Sequence, residues 1–306
     1  MIPSGTLGRL REFESGCRSA IPAAECERLL SLAVQEALSV RVAEELDSRM
    51  RSLADLGEML VGRYGIRGRG VFAAALVSTL ALRRAEALRD SSLPPSVLEI
   101  IPAAYERLIR NLGAMNPAEY WLGDDGFLKD LRFAAGLTVP CGAQDVDLYA
   151  RVTARSLIRA ALAFGESRNA LKVLRLGLAP WFRIHTDSRY LDEFDESGWE
   201  RCYRRIAEML ARSPGARGMV GTSWFYDAQV RKVSPRLSYL QREPLVHGAI
   251  LLCHGSSTVD TERAIAKSAT RRQLYEAGTY VPVCYSLLWP RRSLMAWAEQ
   301  QTRVGI

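Results

Sequence analysis

Apolar residues recur every three or four positions from Ala23 to about Ser52 (Leu29, Leu30, Leu32, Ala33, Leu38, Val42, Leu46), with charges on the opposite face. That is the period of an amphipathic helix. A shorter periodic stretch runs from Leu53 to Val61. Gly62–Gly70 (GRYGIRGRG) then reads as an arginine-bearing loop, followed by a second helix to about Arg89. The breaker Ser91-Ser-Leu-Pro-Pro95 precedes a third helix from Ser96 to Leu112, so the first 115 residues read as all-α. The apolar run Val71–Leu82 has twelve residues and ends at Arg83-Arg84, short of the roughly 20 that span a bilayer. A buried helix is expected there. No fixed-period repeat marks a solenoid.

The pattern changes after Gly126. Leu137–Leu148 is short, apolar and flanked by turns, and Ala150–Phe164 is helical in period. Beyond it, strand and helix signals alternate. The expected strands are Trp181–Ile184, Gly218–Tyr226, Gly248–Cys253 and Val281–Leu288. The expected helices are Ser197–Ala211, Ser234–Gln241, Val259–Ala277 and Arg291–Gln301. The fold class is therefore α/β, with α+β as its alternative. A helical N-terminal domain (1–125) precedes an α/β catalytic domain (126–306), whose mixed or mostly parallel sheet is covered by helices.

Composition adds a location. Of 41 basic residues 37 are arginine, which genome composition explains as readily as function does. Residues 1–125 carry 15 basic and 17 acidic side chains, net −2; residues 126–306 carry 26 and 17, net +9. The positive excess lies in the α/β half and suits a phosphate-bearing or acidic partner. The six cysteines are widely spaced, without a CxxC pair, and are expected as free thiols. The N-terminal stretch lacks the apolar segment of a signal peptide, so a cytoplasmic protein, not a membrane one, is expected.

In open α/β sheets ligands bind beyond the carboxyl ends of the strands. Four such ends are legible: His185-Thr-Asp187-Ser-Arg189, Thr222-Ser-Trp-Phe-Tyr-Asp227, His254-Gly-Ser256-Ser-Thr258 and Trp289-Pro-Arg291-Arg292. If the strands are parallel neighbours, one pocket gathers His185, Asp187, Ser223, Tyr226, Asp227 and His254; an antiparallel member moves its cluster to the opposite rim. His185 is the expected base, held by Asp187, and Ser223 a hydrogen-bonding residue, since the G-x-S-x-G elbow is absent. Three aromatics in succession at a strand end cannot share one face, so at least one ring is expected to line a cavity or an interface, with Trp224 or Tyr226 the candidate stacking platform. Arg189, Arg271, Arg272 and Arg291 are the candidates for holding donor phosphates, with Ser256 near a helix start. Arginines at the start of the last helix are misplaced for the helix dipole, which singles out Arg291 and Arg292. The alternative reading of His185, Asp187 and His254 is a two-His-one-carboxylate Fe(II) site. It resembles that of the non-haem iron oxygenases in spacing, with Arg263 nine residues beyond His254 as a co-substrate arginine.

The strand-helix-strand run over residues 180–255, its helix opening at Ser197-Gly198-Trp199, resembles the second half of the GNAT acyltransferase fold. The resemblance implies acyl or aminoacyl transfer to a small-molecule amine or hydroxyl acceptor. The family's phosphate turn R/Q-x-x-G-x-G/A is replaced by the acidic Asp192-Glu-Phe-Asp-Glu-Ser-Gly198. A CoA pyrophosphate is disfavoured there, and aminoacyl-tRNA or an acidic acyl carrier is the expected donor over free acyl-CoA. A non-enzymatic protein that binds through its aromatic run is the third reading.

Overall fold

The computed structural model describes residues 2–18, 22–43, 45, 46, 49 and 54–303. They form two compact units, residues 1–140 and 141–306. No helix among the described residues is long and apolar enough to cross a membrane.

The first unit is helical: Ser4–Arg18, Ala23–Ser39, Ala54–Ala87, Ile101–Ala114 and Asp125–Ala134 are its main helices, and it ends in a short strand, β1 (Thr138–Pro140). The helix from Ala23 stops at Ser39, where Val40 turns extended. The rest of that expected helix, and Leu53 of the next, fall partly or wholly outside the described residues. Phe72 to Val77 are all buried, so this segment is the centre of the unit's core and needs no polar face. The arginine-glycine segment 62–70 is not a loop. It is helical on both sides of Gly65, which alone leaves the helical region with φ 71° and ψ 172°. Glycine persists in that helix for packing: a Cβ on Gly70 would lie 1.8 Å from the Pro117 carbonyl oxygen. Arg63 pairs with Glu25, and Arg69 lies over the Trp121 ring.

In the second unit the sheet strands are β2 (Asp145–Ala150), β3 (Trp181–His185), β4 (Gly218–Ser223), β5 (Ile250–Gly255) and β6 (Cys284–Pro290), in spatial order β2-β3-β4-β6-β5. β3 and β4 are parallel, whereas β2 runs against β3 and β6 runs against both β4 and β5. The sheet is thus mixed, and β3, β4 and β5 share one direction. The fold is α/β, with helices on both faces of the sheet.

One face of the sheet packs Trp181, Val220, Leu252 and Leu288 against Leu157, Ala160, Ala170 and Val173 of a helical hairpin, Ala154–Phe164 and Ser167–Leu176. Thr153 caps the first of these helices through its side chain, and Gly165, at φ 69°, ends it. The second helix guards the exposed edge of β5. Glu166 accepts from Cys253 N at 2.8 Å, and Asn169 donates to the Leu251 carbonyl at 3.1 Å. On the other face Trp289 packs edge-on to Tyr203 of helix Glu196–Arg212 and tilts against Trp297 of helix Arg291–Arg303.

Several expected elements differ, among them the helix expected at 96–112, which is broken into Pro95–Leu98 and Ile101–Ala114. The strand from Gly218 ends at Ser223, and Trp224–Tyr226 forms a 3-10 turn. The expected helix 259–277 is two, Thr258–Ala266 and Ala269–Glu276, because Ser268 caps a fresh start. The segment 234–241 is a 3-10 turn leading into helix Tyr239–Val246. All six cysteines are buried and free.

Candidate active site

Residues paired across neighbouring strands project from the same face of the sheet, and alternate residues of one strand do too. His185 pairs with Asp145 across β2 and β3, and Thr222 pairs with Ser286 across β4 and β6. The apolar floor under the helical hairpin therefore gives way, toward the carboxyl ends of β3, β4 and β5, to a polar row. It comprises Asp145, Asp147, His185, Thr222, Ser286 and His254.

Two hydrogen-bonded groups lie within the row. Asp147 Oδ2 lies 2.6 Å from His185 Nε2, with the carboxylate side chain only 4% exposed and the imidazole 34%. An ionised carboxylate only accepts, so Nε2 carries a proton toward it, and in the neutral imidazole the lone pair is on Nδ1. In the second group Ser286 Oγ stands 2.6 Å from Thr222 Oγ1 and 2.7 Å from His254 Nε2. Ser286 is buried, yet Thr222 is exposed although β4 is an interior strand. The floor is open above it.

Burial, reinforced by the Arg159 guanidinium and opposed by Asp260, lowers the pKa of His254. Its imidazole is neutral at pH 7. If Nε2–H donates, the chain runs from His254 through Ser286 to Thr222 and frees the Thr222 hydroxyl hydrogen for a group above the floor. The shift also has a consequence for stability. Because the folded state binds this proton less readily than the unfolded chain, stability is full above the ordinary histidine pKa and falls as pH drops through it. Urea midpoints of the wild type and of His254→Asn should differ less at pH 5 than at pH 7.5. An unchanged gap would show that His254 does not titrate with folding.

Several expected partners are placed elsewhere. Asp187 lies beyond the end of β3, and Arg189 donates to its carboxylate through Nε at 3.1 Å and Nη2 at 2.8 Å. The carboxylate on His185 is Asp147, not Asp187. Ser223 Oγ accepts from Phe225 N and caps the 3-10 turn. Trp224 and Tyr226 both point into the core, so neither offers an open stacking platform, while Phe225 is only partly buried. Arg271 covers the Trp224 ring at 4.5 Å while donating to Ser234 Oγ and the Ala264 carbonyl. Asp227 accepts from Gln229 N and Val283 N, and Ser256 donates to the Pro282 carbonyl. Arg272 donates to the Ala266 carbonyl.

Because β6 is antiparallel to its neighbours, Arg291 lies at the opposite rim. It donates to the Leu210 and Ser213 carbonyls at the end of helix Glu196–Arg212, which also accept from Ser213 N and Ala216 N. This explains a cation at the start of the last helix. The iron triad does not assemble either. With β4 and β6 between them, β3 and β5 are about 14 Å apart at about 4.8 Å per strand, and no three His, Cys, Asp or Glu side chains among the described residues could hold a metal ion.

Asp147 and Ser286 escape a reading by strand ends, and Thr222 enters it only as the first residue of its cluster. Asp147 shares its face of the short strand Asp145–Ala150 with Asp145, so the sequence does not single it out. The acidic turn before helix Glu196–Arg212 fills that helix start itself: Asp195 Oδ1 accepts from Gly198 N at 2.7 Å.

No protein-family model matches the chain, and no curated protein sequence does. Two solved structures are similar in fold. One is an acyltransferase in complex with decanoyl-CoA and teicoplanin, 15% identical, TM-score 0.49, with 95% of this chain and 90% of that chain covered. The other is an acyltransferase in complex with decanoyl-CoA, 16% identical, TM-score 0.44, with 74% of this chain and 66% of that chain covered.

Proposed function

We propose that the protein is an acyltransferase that moves an activated acyl group to the amine or hydroxyl of a small molecule, with His185 as general base. The observation that carries this reading is the Asp147–His185 pair, held at 2.6 Å on an open sheet rim beside a hydroxyl that has its own imidazole behind it. His185 Nδ1 takes the proton of the acceptor as its nitrogen or oxygen attacks the acyl carbonyl. Asp147 steadies the imidazolium that forms. The Thr222 hydroxyl donates to the oxygen on which negative charge develops, and the bond from Ser286 polarises it. Collapse of the tetrahedral intermediate expels the donor's thiolate or alkoxide, which takes the proton from His185.

The donor is a thioester or ester, and three kinds are in play: acyl-CoA, acyl carrier protein and aminoacyl-tRNA. The net +9 of residues 126–306 favours a polyanionic donor of any of these kinds. Arg189 and Arg272 are the cations proposed to meet it, because both are exposed although Arg189 is paired with Asp187 and Arg272 bonds the Ala266 carbonyl, whereas Arg271 is buried and Arg291 lies at the opposite rim. A cytoplasmic location accords with all three donors.

The test is product formation. Purified protein is offered decanoyl-CoA, a decanoyl carrier protein or aminoacyl-tRNA with a panel of primary amines and alcohols, and amides and esters are read by mass spectrometry. At least one donor should yield a product absent from the His185→Gln blank. Products equal in wild type and blank, or no product from any donor, would remove the proposal.

A further inference from the structure

The helical hairpin 154–176 carries more than its buried face requires. Its inner side chains, Leu157, Ala160, Ala170 and Val173, are committed to the sheet. Four aliphatic side chains face outward: Ile158 (58% exposed), Leu162 (83%), Leu171 (46%) and Leu174 (53%). A single exposed leucine is ordinary. Two pairs at one-turn spacing on adjoining helices form a patch.

Charge on the same segment is one-sided. Arg155, Arg168, Lys172 and Arg175, with Arg151 just before the hairpin and Arg159 turned toward Phe164 and Gly255, are its cations, against one acid, Glu166. The Glu166 carboxylate is taken up by Cys253 N of β5. None of the six cations has a carboxylate partner within ion-pair distance among the described residues.

We infer that the outer face of this hairpin docks on an anionic lipid surface. Leucine and isoleucine tips enter the headgroup layer, and arginine and lysine stems lie along it with their charges among the phosphates. A bilayer is favoured over an acidic protein because the cations alternate with the aliphatic side chains along both helices. A lipid interface takes that mixture anywhere on its surface, whereas a protein partner would need a matched acid for each cation. The hairpin's turn also borders the polar row, since a Cβ on Gly255, next to His254, would lie 2.8 Å from the Phe164 ring. Docking there would hold the site at the interface, where an amphiphilic substrate concentrates.

The inference stands apart from acyl transfer, and its test needs no activity. Full-length protein is sedimented with vesicles of phosphatidylcholine alone and of equal phosphatidylglycerol and phosphatidylcholine, at 0.1 and 0.5 M NaCl, as chosen conditions bracketing strong and weak screening. Partitioning should be at least about tenfold stronger on the anionic vesicles, weaken at high salt, and fall at least about tenfold in Leu162→Gln/Leu174→Gln. Val246→Gln, an exposed valine outside the hairpin, is the surface control and should bind as the wild type does. Circular dichroism melts should be unchanged in both variants. Equal partitioning on the two vesicles, an undiminished double variant, or binding to polyglutamate without binding to anionic vesicles would overturn it.

Discussion

Replacing Asp147 by Asn should lower turnover in the proposed acyl transfer by roughly three orders of magnitude while leaving the fold intact. The carboxylate is an acceptor only, so it fixes the proton of His185 on Nε2 and keeps the Nδ1 lone pair free for the acceptor. An amide of the same shape can present its NH2 instead. The proton then moves to Nδ1, the wrong nitrogen, and no negative charge remains to steady the imidazolium. Asp147→Asn and His185→Gln should each lose about 10²–10⁴-fold, and the double variant little more than either, because the two act as one unit. KM should change far less than kcat, since neither group is assigned to substrate binding. Losses that multiply in the double variant, or a kcat within about threefold of wild type for Asp147→Asn, would remove the pair from the chemistry.

The second large effect concerns the core behind the site. Trp289→Ala should destabilise the second unit by about 4–6 kcal/mol. Trp289 is fully buried, its ring 5.2 Å from that of Tyr203 and 5.3 Å from that of Trp297. Its Nε1–H donates to the His247 carbonyl at 3.1 Å. Truncation of a buried Trp costs about 3–5 kcal/mol, and the freed carbonyl adds about 1 kcal/mol. Trp289→Phe keeps a ring and loses the N–H, so it should cost about half as much. Urea unfolding followed by far-ultraviolet circular dichroism measures both, with the chain's two units fitted as separate transitions. A loss under about 1.5 kcal/mol for Trp289→Ala would mean that the neighbouring rings close the cavity.

These two residues differ in how far the chain alone reveals them. Trp289 lies in a continuous apolar run, Leu287-Leu-Trp289, and its burial follows from that run. Asp147 reads as one acid among many until β2 is laid beside β3. His185 and His254 were both legible as polar residues where apolar strands end, and both fall in the polar row. The partners proposed for them were not legible. Asp187 was favoured over Asp147 because it is near in sequence, whereas the bonded carboxylate is 38 residues away. The one hydroxyl that stands behind Thr222 and beside His254, that of Ser286, is 64 residues from the first and 32 from the second. In the helical half, the glycines of 62–70 signalled a loop because their local preference is the only information the chain offers there. The close approach of Pro117 to Gly70 shows that packing, not a turn, is what excludes a side chain.

By itself the sequence determined the alternation of strands and helices after residue 126, the buried helix at 71–82, the free cysteines and the rim on which two histidines lie. Each follows from periodicity or composition, which are properties of short windows. The tertiary structure decided the antiparallel direction of β6, which carries Arg291 to the opposite rim. It also decided the separation of His185 from His254, the pairing of His185 with Asp147 and the exposure of Thr222 on an interior strand. Strand order and direction are set by contacts between distant segments, and no local pattern of apolar and polar residues encodes which strand lies beside which.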